Sequence, residues 1–162
     1  DGSYYLSRYT HIWGWATWRD RWSLYDINIS KWPEFKRSDL SKGFFTTERE
    51  SKYWEKIFDN LYYKGKPNTW DYQGLFTSFF YNMNTILPNT PLVENIGYDV
   101  DSTHIFTDKE LKKQILNSKN LELINKMKEP SLFERSVSAD NYSFKNHYKK
   151  ILFRRVLDKL FK

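Results

Sequence analysis

His11-Ile12-Trp13-Gly14-Trp15-Ala16-Thr17-Trp18-Arg19-Asp20-Arg21-Trp22 is the densest stretch of the chain, with four tryptophans inside ten residues and arginines among them. Trp15, Trp18, Trp22 and Tyr25 recur at helical spacing, which predicts a helix from about Ala16. Such a stripe has two readings. It is the buried face of a helix, because large aromatic side chains supply much of a small domain's contact area. Or it is a ligand surface, because Trp and Tyr rings stack on the apolar faces of sugars while Arg8, Arg19 and Arg21 fork onto phosphate. His11 belongs to that surface or is a satisfied structural histidine.

Outward from this run, Ser3-Tyr4-Tyr5-Leu6-Ser7 reads as a short strand by its aromatic and apolar content. On the other side Trp32-Pro33 breaks the helical pattern, and Thr47-Glu48-Arg49-Glu50 has capping-box spacing. A long amphipathic helix is expected to follow, with Tyr53, Trp54, Ile57, Phe58, Leu61 and Tyr62 on its apolar side and Gly65 and Pro67 as its stop. Another helix is expected near Thr69, carried by Leu75, Phe76, Phe79 and Phe80, with Asp71 in its first turn. Residues 84–97 predict two short strands or extended segments. Thr107-Asp108-Lys109-Glu110 is a second capping box, opening a helix that Pro130 ends.

The chain has 162 residues, 40% apolar and 28% charged, which suits one globular domain with a real core. It has no cysteine, and this excludes disulfides, thiolate nucleophiles and cysteine-ligated zinc together. No stretch is long and apolar enough to span a bilayer, and no Gly-rich loop could cradle a phosphate. A chain that opens Asp1-Gly2-Ser3 is expected to be a piece cut from a longer protein.

The formal charge is +6, and the tail from Lys145 to Lys162, seven basic residues against Asp158, carries all of it. A neutral body argues against a nucleic-acid partner, which would require basic residues across the folded face. In the tail, Ile151, Leu152, Phe153, Val156, Leu157, Leu160 and Phe161 form an apolar stripe flanked by Lys and Arg. Such a helix lies in an anionic membrane interface, each basic residue contributing on the order of 1 kcal/mol, or docks on protein.

Two further groups could carry chemistry. Asp99-Val100-Asp101 with His104 offers three hard or borderline ligands suited to magnesium or manganese, though an Asp-x-Asp string equally forms a polar turn. Asp71, between Trp70 and Tyr72, suits a general base for a sugar hydroxyl, and the helix dipole alone would also account for a carboxylate there.

Taken in order, Ser3-Tyr4-Tyr5-Leu6-Ser7-Arg8-Tyr9-Thr10-His11-Ile12-Trp13-Gly14-Trp15-Ala16-Thr17-Trp18-Arg19, Trp32-Pro33, Tyr53-Trp54, Thr69-Trp70-Asp71-Tyr72-Gln73, Pro88-Asn89, Asn95-Ile96-Gly97 and Ser102-Thr103-His104 form one pattern. It resembles the carboxyl-terminal half of bacterial nucleotide-diphospho-sugar glycosyltransferases of the GT-A superfamily, the hemolysin-like or family 2 group. The resemblance covers about residues 1–106. It implies an α/β fold, here a partial and helix-rich GT-A-like domain with a few short strands and a C-terminal amphipathic helix. The expected organisation is an acceptor-side half over 1–106, a helical extension over 107–144 and the basic tail helix over 145–162.

The activity implied is transfer of a sugar from a nucleotide-diphosphate donor to a glycan or cell-surface polysaccharide acceptor. By the same resemblance Asp71 would be the base, and His104, with Asp101 as a neighbour, would stand on the side of a manganese or magnesium ion that offsets charge on the departing diphosphate. Trp13, Trp15, Trp18 and Trp70 would shape the acceptor cleft, and Arg19 would face phosphate or acceptor. In the family the nucleotide-binding strands and the acidic metal motif precede this region. The chain is therefore expected to be inactive alone, to reside in the cytoplasm and, through its tail, to sit on the inner face of the bacterial membrane. A glycan-binding module without transfer, and a membrane-active or peripheral membrane module carried by the basic tail, are the rival readings.

Overall fold

The computed structural model describes residues 2–38, 43–93 and 127–148. In chain order these form strand β1 (Tyr4–Ser7), helices α1 (Arg19–Trp22), α2 (Trp32–Arg37), α3 (Glu48–Lys64) and α4 (Asp71–Phe80), strand β2 (Thr85–Pro88) and helix α5 (Val137–Ser143). A π-helical turn over Phe144–Tyr148 follows α5. The chain is thus a helix-rich α/β protein in the broad sense, with β1 and β2 paired in a two-stranded sheet. It divides into two compact units, Asp1–Leu6 with Ile86–Glu134 and Ser7–Thr85 with Arg135–Lys162.

In the first unit the Ser3 amide donates to the Lys128 carbonyl (2.8 Å) and the Asn89 amide to the Ser3 carbonyl (2.9 Å). The Lys128 amide in turn donates to Ser3 Oγ (2.9 Å). Gly2 is held by sterics, since a Cβ there would lie 2.7 Å from the Pro130 nitrogen, and backbone cannot yield as a side-chain tip does. Of the two strands or extended segments expected in residues 84–97, the first forms as β2; residues 89–93 are irregular, and 94–97 lie outside the described residues.

The second unit is built on α3, whose ends match their chemistry. Thr47 caps it by accepting from the Glu50 amide (3.2 Å). Gly65, at φ 59°, ends it in the left-handed conformation that glycine adopts without a Cβ clash, and the Gly65 and Lys66 amides donate to the Leu61 and Asn60 carbonyls. Trp54, Phe58 and Leu61 are buried, Tyr53 and Ile57 half-buried and Tyr62 exposed, so the expected apolar face is centred as its spacing implies. Pro33 opens α2 as well as breaking the pattern before it, because its missing N–H falls in the first helical turn. Asp59 on α3 binds α2 by accepting from Trp32 Nε1 (2.9 Å) and Lys36 Nζ (3.0 Å).

The core of this unit is mostly aromatic, with Ile29, Leu61 and Leu75 among the rings. Trp54 packs on Phe58 at 5.5 Å, edge-on to Phe79 at 5.6 Å and edge-on to Tyr148 at 4.9 Å. Trp32, Phe35 and Phe76 continue the layer. Stacked and edge-to-face pairs of this kind contribute about 0.5–1.5 kcal/mol each beyond their buried area.

The expected helix from Ala16 is corrected. Gly14 stands at φ 63° and Trp18 is extended (φ −81°, ψ 148°), so a turn at Trp13-Gly14 delays the helix, and α1 is a single turn over Arg19–Trp22. Arg8 is corrected as well. It is buried, its guanidinium lies 3.9 Å over the Phe44 ring and donates to the Phe44 carbonyl, and it is not free to fork onto a phosphate. Burial, with the Arg135 charge adding to it, lowers its pKa to about 10.

Arg8 belongs to the buried tripeptide Ser7-Arg8-Tyr9, which two interior carboxylates hold. Asp140 accepts from Ser7 Oγ (2.6 Å), the Arg8 amide (3.2 Å) and Arg135 Nε. Glu50 accepts from the Tyr9 hydroxyl and from the Thr46 amide (2.9 Å), while Trp54 Nε1 donates to the Tyr9 oxygen (3.1 Å). Burial and the Glu50 charge push the Tyr9 hydroxyl well above its ordinary pKa, so it serves as a permanent donor.

The helix expected after Thr107, the acidic loop with Asp101 and His104, and the tail from residue 149 lie outside the described residues. Among the described residues no helix is long and apolar enough to cross a membrane. Replacing Asp140 by Ala should cost about 3–5 kcal/mol in urea denaturation, because it leaves Arg135 charged and largely buried without its partner.

Candidate functional site

The tryptophan run faces solvent. Trp13, Trp15, Trp18, Trp22 and Trp70 are 48%, 42%, 68%, 45% and 42% exposed, which decides against the buried-stripe reading. The left-handed Gly14 and the extended Trp18 take these side chains off helical spacing, and Arg19 follows as the exposed first residue of α1. Several of the rings gather. Trp15 lies 5.4 Å from Trp22 and 5.1 Å from Trp70, and Trp22 stacks on Tyr25 at 4.7 Å with 14° between the planes. Residues from two distant segments thus make one aromatic platform, and exposed apolar surface of this density marks a binding site more often than a plain surface.

Beside the platform is an open cleft of about 520 Å³, lined by Tyr25, Ile27, Asn28, Leu61, Tyr62, Gly65, Asn68, Thr69, Trp70 and Gln73. Trp70 and Tyr25 belong to both. Among these lining residues none is charged. Gln73, in the first turn of α4, is buried, and its Oε1 accepts no hydrogen bond.

Asp71 is the first residue of α4, half-buried, where the helix dipole favours a carboxylate. The Thr69 hydroxyl, on the cleft wall, donates to it. Its flanking aromatics diverge: Trp70 turns out to the platform, while Tyr72 packs edge-on against the core Trp54 at 6.2 Å. Burial, then the charges of Asp26 and Asp71, raise the pKa of Tyr25, so the Asp71 charge is felt at a cleft-lining hydroxyl.

The structure therefore brings together Asp71, Trp15 and Trp70 with Trp22 of the same aromatic run, and adds Asn28, Asn68 and Gln73, which sequence reasoning did not select. Gln73 had a signal: it is the polar interruption of the α4 apolar stripe, one turn after Trp70. Asp101 and His104 lie outside the described residues, and among the described residues no group of three or more His, Asp or Glu side chains is placed to hold a metal ion.

Comparison of the chain with family models, with curated proteins and with solved structures finds no match. The functional argument rests on the side chains and their geometry.

His11 packs edge-on to His147 at 5.7 Å. Its crowded surroundings desolvate the imidazole even though the residue keeps an exposed edge, and this, with His147, lowers its pKa. A lowered pKa means that the unfolded chain, titrating near 6.5, binds the proton more readily. The contribution is therefore present above about pH 6.5 and lost as the pH falls below it. The urea midpoint of the native chain should fall more steeply from neutral pH to about pH 5 than that of His11→Gln.

Proposed function

We propose that the chain carries the acceptor side of a nucleotide-sugar-dependent glycosyltransferase of GT-A type, acting on a glycan or cell-surface polysaccharide. The observation that supports this best is Asp71 itself, next in sequence to the exposed Trp70 of the tryptophan platform and accepting from Thr69 on the wall of a neutral cleft. Aromatic faces bind the apolar faces of sugar rings, and a carboxylate at their edge is a base for a sugar hydroxyl.

In the reaction Asp71 accepts the proton of the acceptor hydroxyl as its oxygen bonds to the donor's anomeric carbon, while the bond from that carbon to the diphosphate breaks. The diphosphate leaves with the bonding electron pair. Trp15, Trp70 and, more loosely, Trp13 and Trp18 orient the acceptor; Arg19 faces phosphate or acceptor. Asp101 and His104 are the proposed metal-side residues, and a manganese or magnesium ion held there would offset charge on the leaving group.

The test uses the polypeptide as its gene encodes it, supplied with nucleotide-diphospho-sugars and divalent cation and followed by nucleoside-diphosphate release. Asp71→Asn should lower transfer by about 10²–10⁴-fold. An unchanged rate would remove Asp71 as base. The rival reading, a glycan-binding module, draws on the same exposed tryptophans. It takes first place if native protein binds glycan and transfers nothing.

The concentration of positive charge in residues 145–162 supports a peripheral attachment to an anionic membrane on the cytoplasmic face. Sedimentation with anionic liposomes should retain the whole chain and lose the chain lacking 145–162, whereas equal binding would reject the anchor.

A further inference from the structure

His11 and His147, two of the three histidines in the chain, come together from segments far apart in the sequence. Their rings lie edge-on, with 5.7 Å between centres and 87° between planes, and both residues are exposed. The meeting is held from beneath. Two residues before His11, the buried Tyr9 ring packs at 5.0 Å on Tyr148, the residue after His147, and Tyr148 also lies against Trp54 at 4.9 Å. The same two segments therefore touch twice, once in the core and once at the surface. His147 belongs to the π-helical turn Phe144–Tyr148, a rare backbone form found frequently at functional sites. The chemistry assigned to Asp71 makes no use of this pair.

We propose that His11 and His147 are the two protein ligands of a divalent transition-metal ion of the zinc or copper class. The separation of the rings fits such an ion. With metal–nitrogen bonds of about 2.0–2.1 Å, ring centres stand about 3.2 Å from a shared ion, so a tetrahedral angle places them about 5.2 Å apart. The observed 5.7 Å needs only a small rotation of two exposed side chains. The ligand type selects the metal. Neutral imidazole suits zinc and copper, whereas magnesium and manganese prefer carboxylate, carbonyl and water oxygens, so the pair differs in chemistry from the ion proposed beside Asp101 and His104. Desolvation, then the neighbouring His147, lowers the pKa of His11 and keeps that imidazole in the neutral form that binds metal. Among the described residues no third His, Asp or Glu side chain joins the pair, so water completes the coordination. A bound ion would tie the segment between the Ser7-Arg8-Tyr9 anchor and the Gly14 turn to the π-helical turn. The inference involves neither sugar nor Asp71 and stands apart from the glycosyltransferase reading.

The purified full chain is titrated with zinc chloride by isothermal titration calorimetry near neutral pH, with magnesium chloride as competitor. Zinc should bind, and magnesium should fail to displace it. His11→Gln and His147→Gln should each weaken zinc binding by about tenfold or more, since loss of even an outer-shell partner costs about that much. The double variant should bind about as weakly as either single one, because one lost ligand already breaks a two-ligand site. His104→Gln should bind as the native chain does. Saturating zinc should raise the urea midpoint of the native chain and leave that of the His11 and His147 variants unmoved. Both substituted side chains are exposed, and imidazole NMR of the native chain supplies a readout that needs no variant: the His11 and His147 resonances should shift together as zinc is added. The proposal is overturned if zinc does not bind, if magnesium displaces it, if the His11 and His147 variants bind as the native chain does, or if His104→Gln alone loses the binding.

Discussion

The burial of two carboxylates, Asp140 and Glu50, is the constraint on which the larger unit depends. Each is an ionisable group taken out of water, and removal of such a group from water costs several kcal/mol unless its oxygens are matched. Both are matched to the same short segment. Asp140 takes the Ser7 hydroxyl and the Arg8 amide, Glu50 takes the Tyr9 hydroxyl, and Arg135 and the Thr46 amide complete the sets. The consequence is geometric. A chain segment held by donors on three successive residues has little freedom in register, and the tryptophan run starts four residues after Tyr9.

That anchoring explains how an aromatic-rich sequence can leave so many tryptophans in solvent. Tyr9, Trp54, Phe58 and Phe79 already fill the interior beside the anchor at ring distances of 5.5–6.0 Å. An interior packed to crystal-like density has no room for another indole. Gly14 then turns the chain, α1 contributes a single turn, and Trp15 and Trp22 meet Trp70 on the outside. Core and platform are made from the same residue types; the fold separates them by anchoring one segment and turning the next.

The capping of α3 has a related duality. Thr47 and Glu50 have the spacing of a capping box, and Thr47 does accept from the Glu50 amide. The Glu50 carboxylate, however, takes the Thr46 amide and the Tyr9 hydroxyl, so a local helix signal is also a long-range tie. At the head of α4, Asp71 combines a place favoured by the helix dipole with a hydrogen bond from Thr69 on the cleft wall. In α3 the first-turn carboxylate thus ties distant segments together, whereas in α4 the bond from Thr69 to Asp71 is itself local.

By itself the sequence determined what depends on neighbours within a turn or two. The strand at Tyr4–Ser7, the long helix from its Thr47 cap to Gly65, the helix expected near Thr69 and found from Asp71, and the apolar face of α3 were all legible, because caps, glycine stops and periodic stripes act locally. The helix from Ala16 was not, because periodicity among tryptophans takes no account of a left-handed glycine just before them. Only the tertiary structure decided that Arg8 is interior, that Glu50 and Asp140 are buried anchors, and that Trp15, Trp22, Tyr25 and Trp70 form one surface beside Gln73. Each of those facts is a contact between segments distant in the chain. Contacts of that kind follow from which side chains the filled core accepts, and no local pattern encodes it.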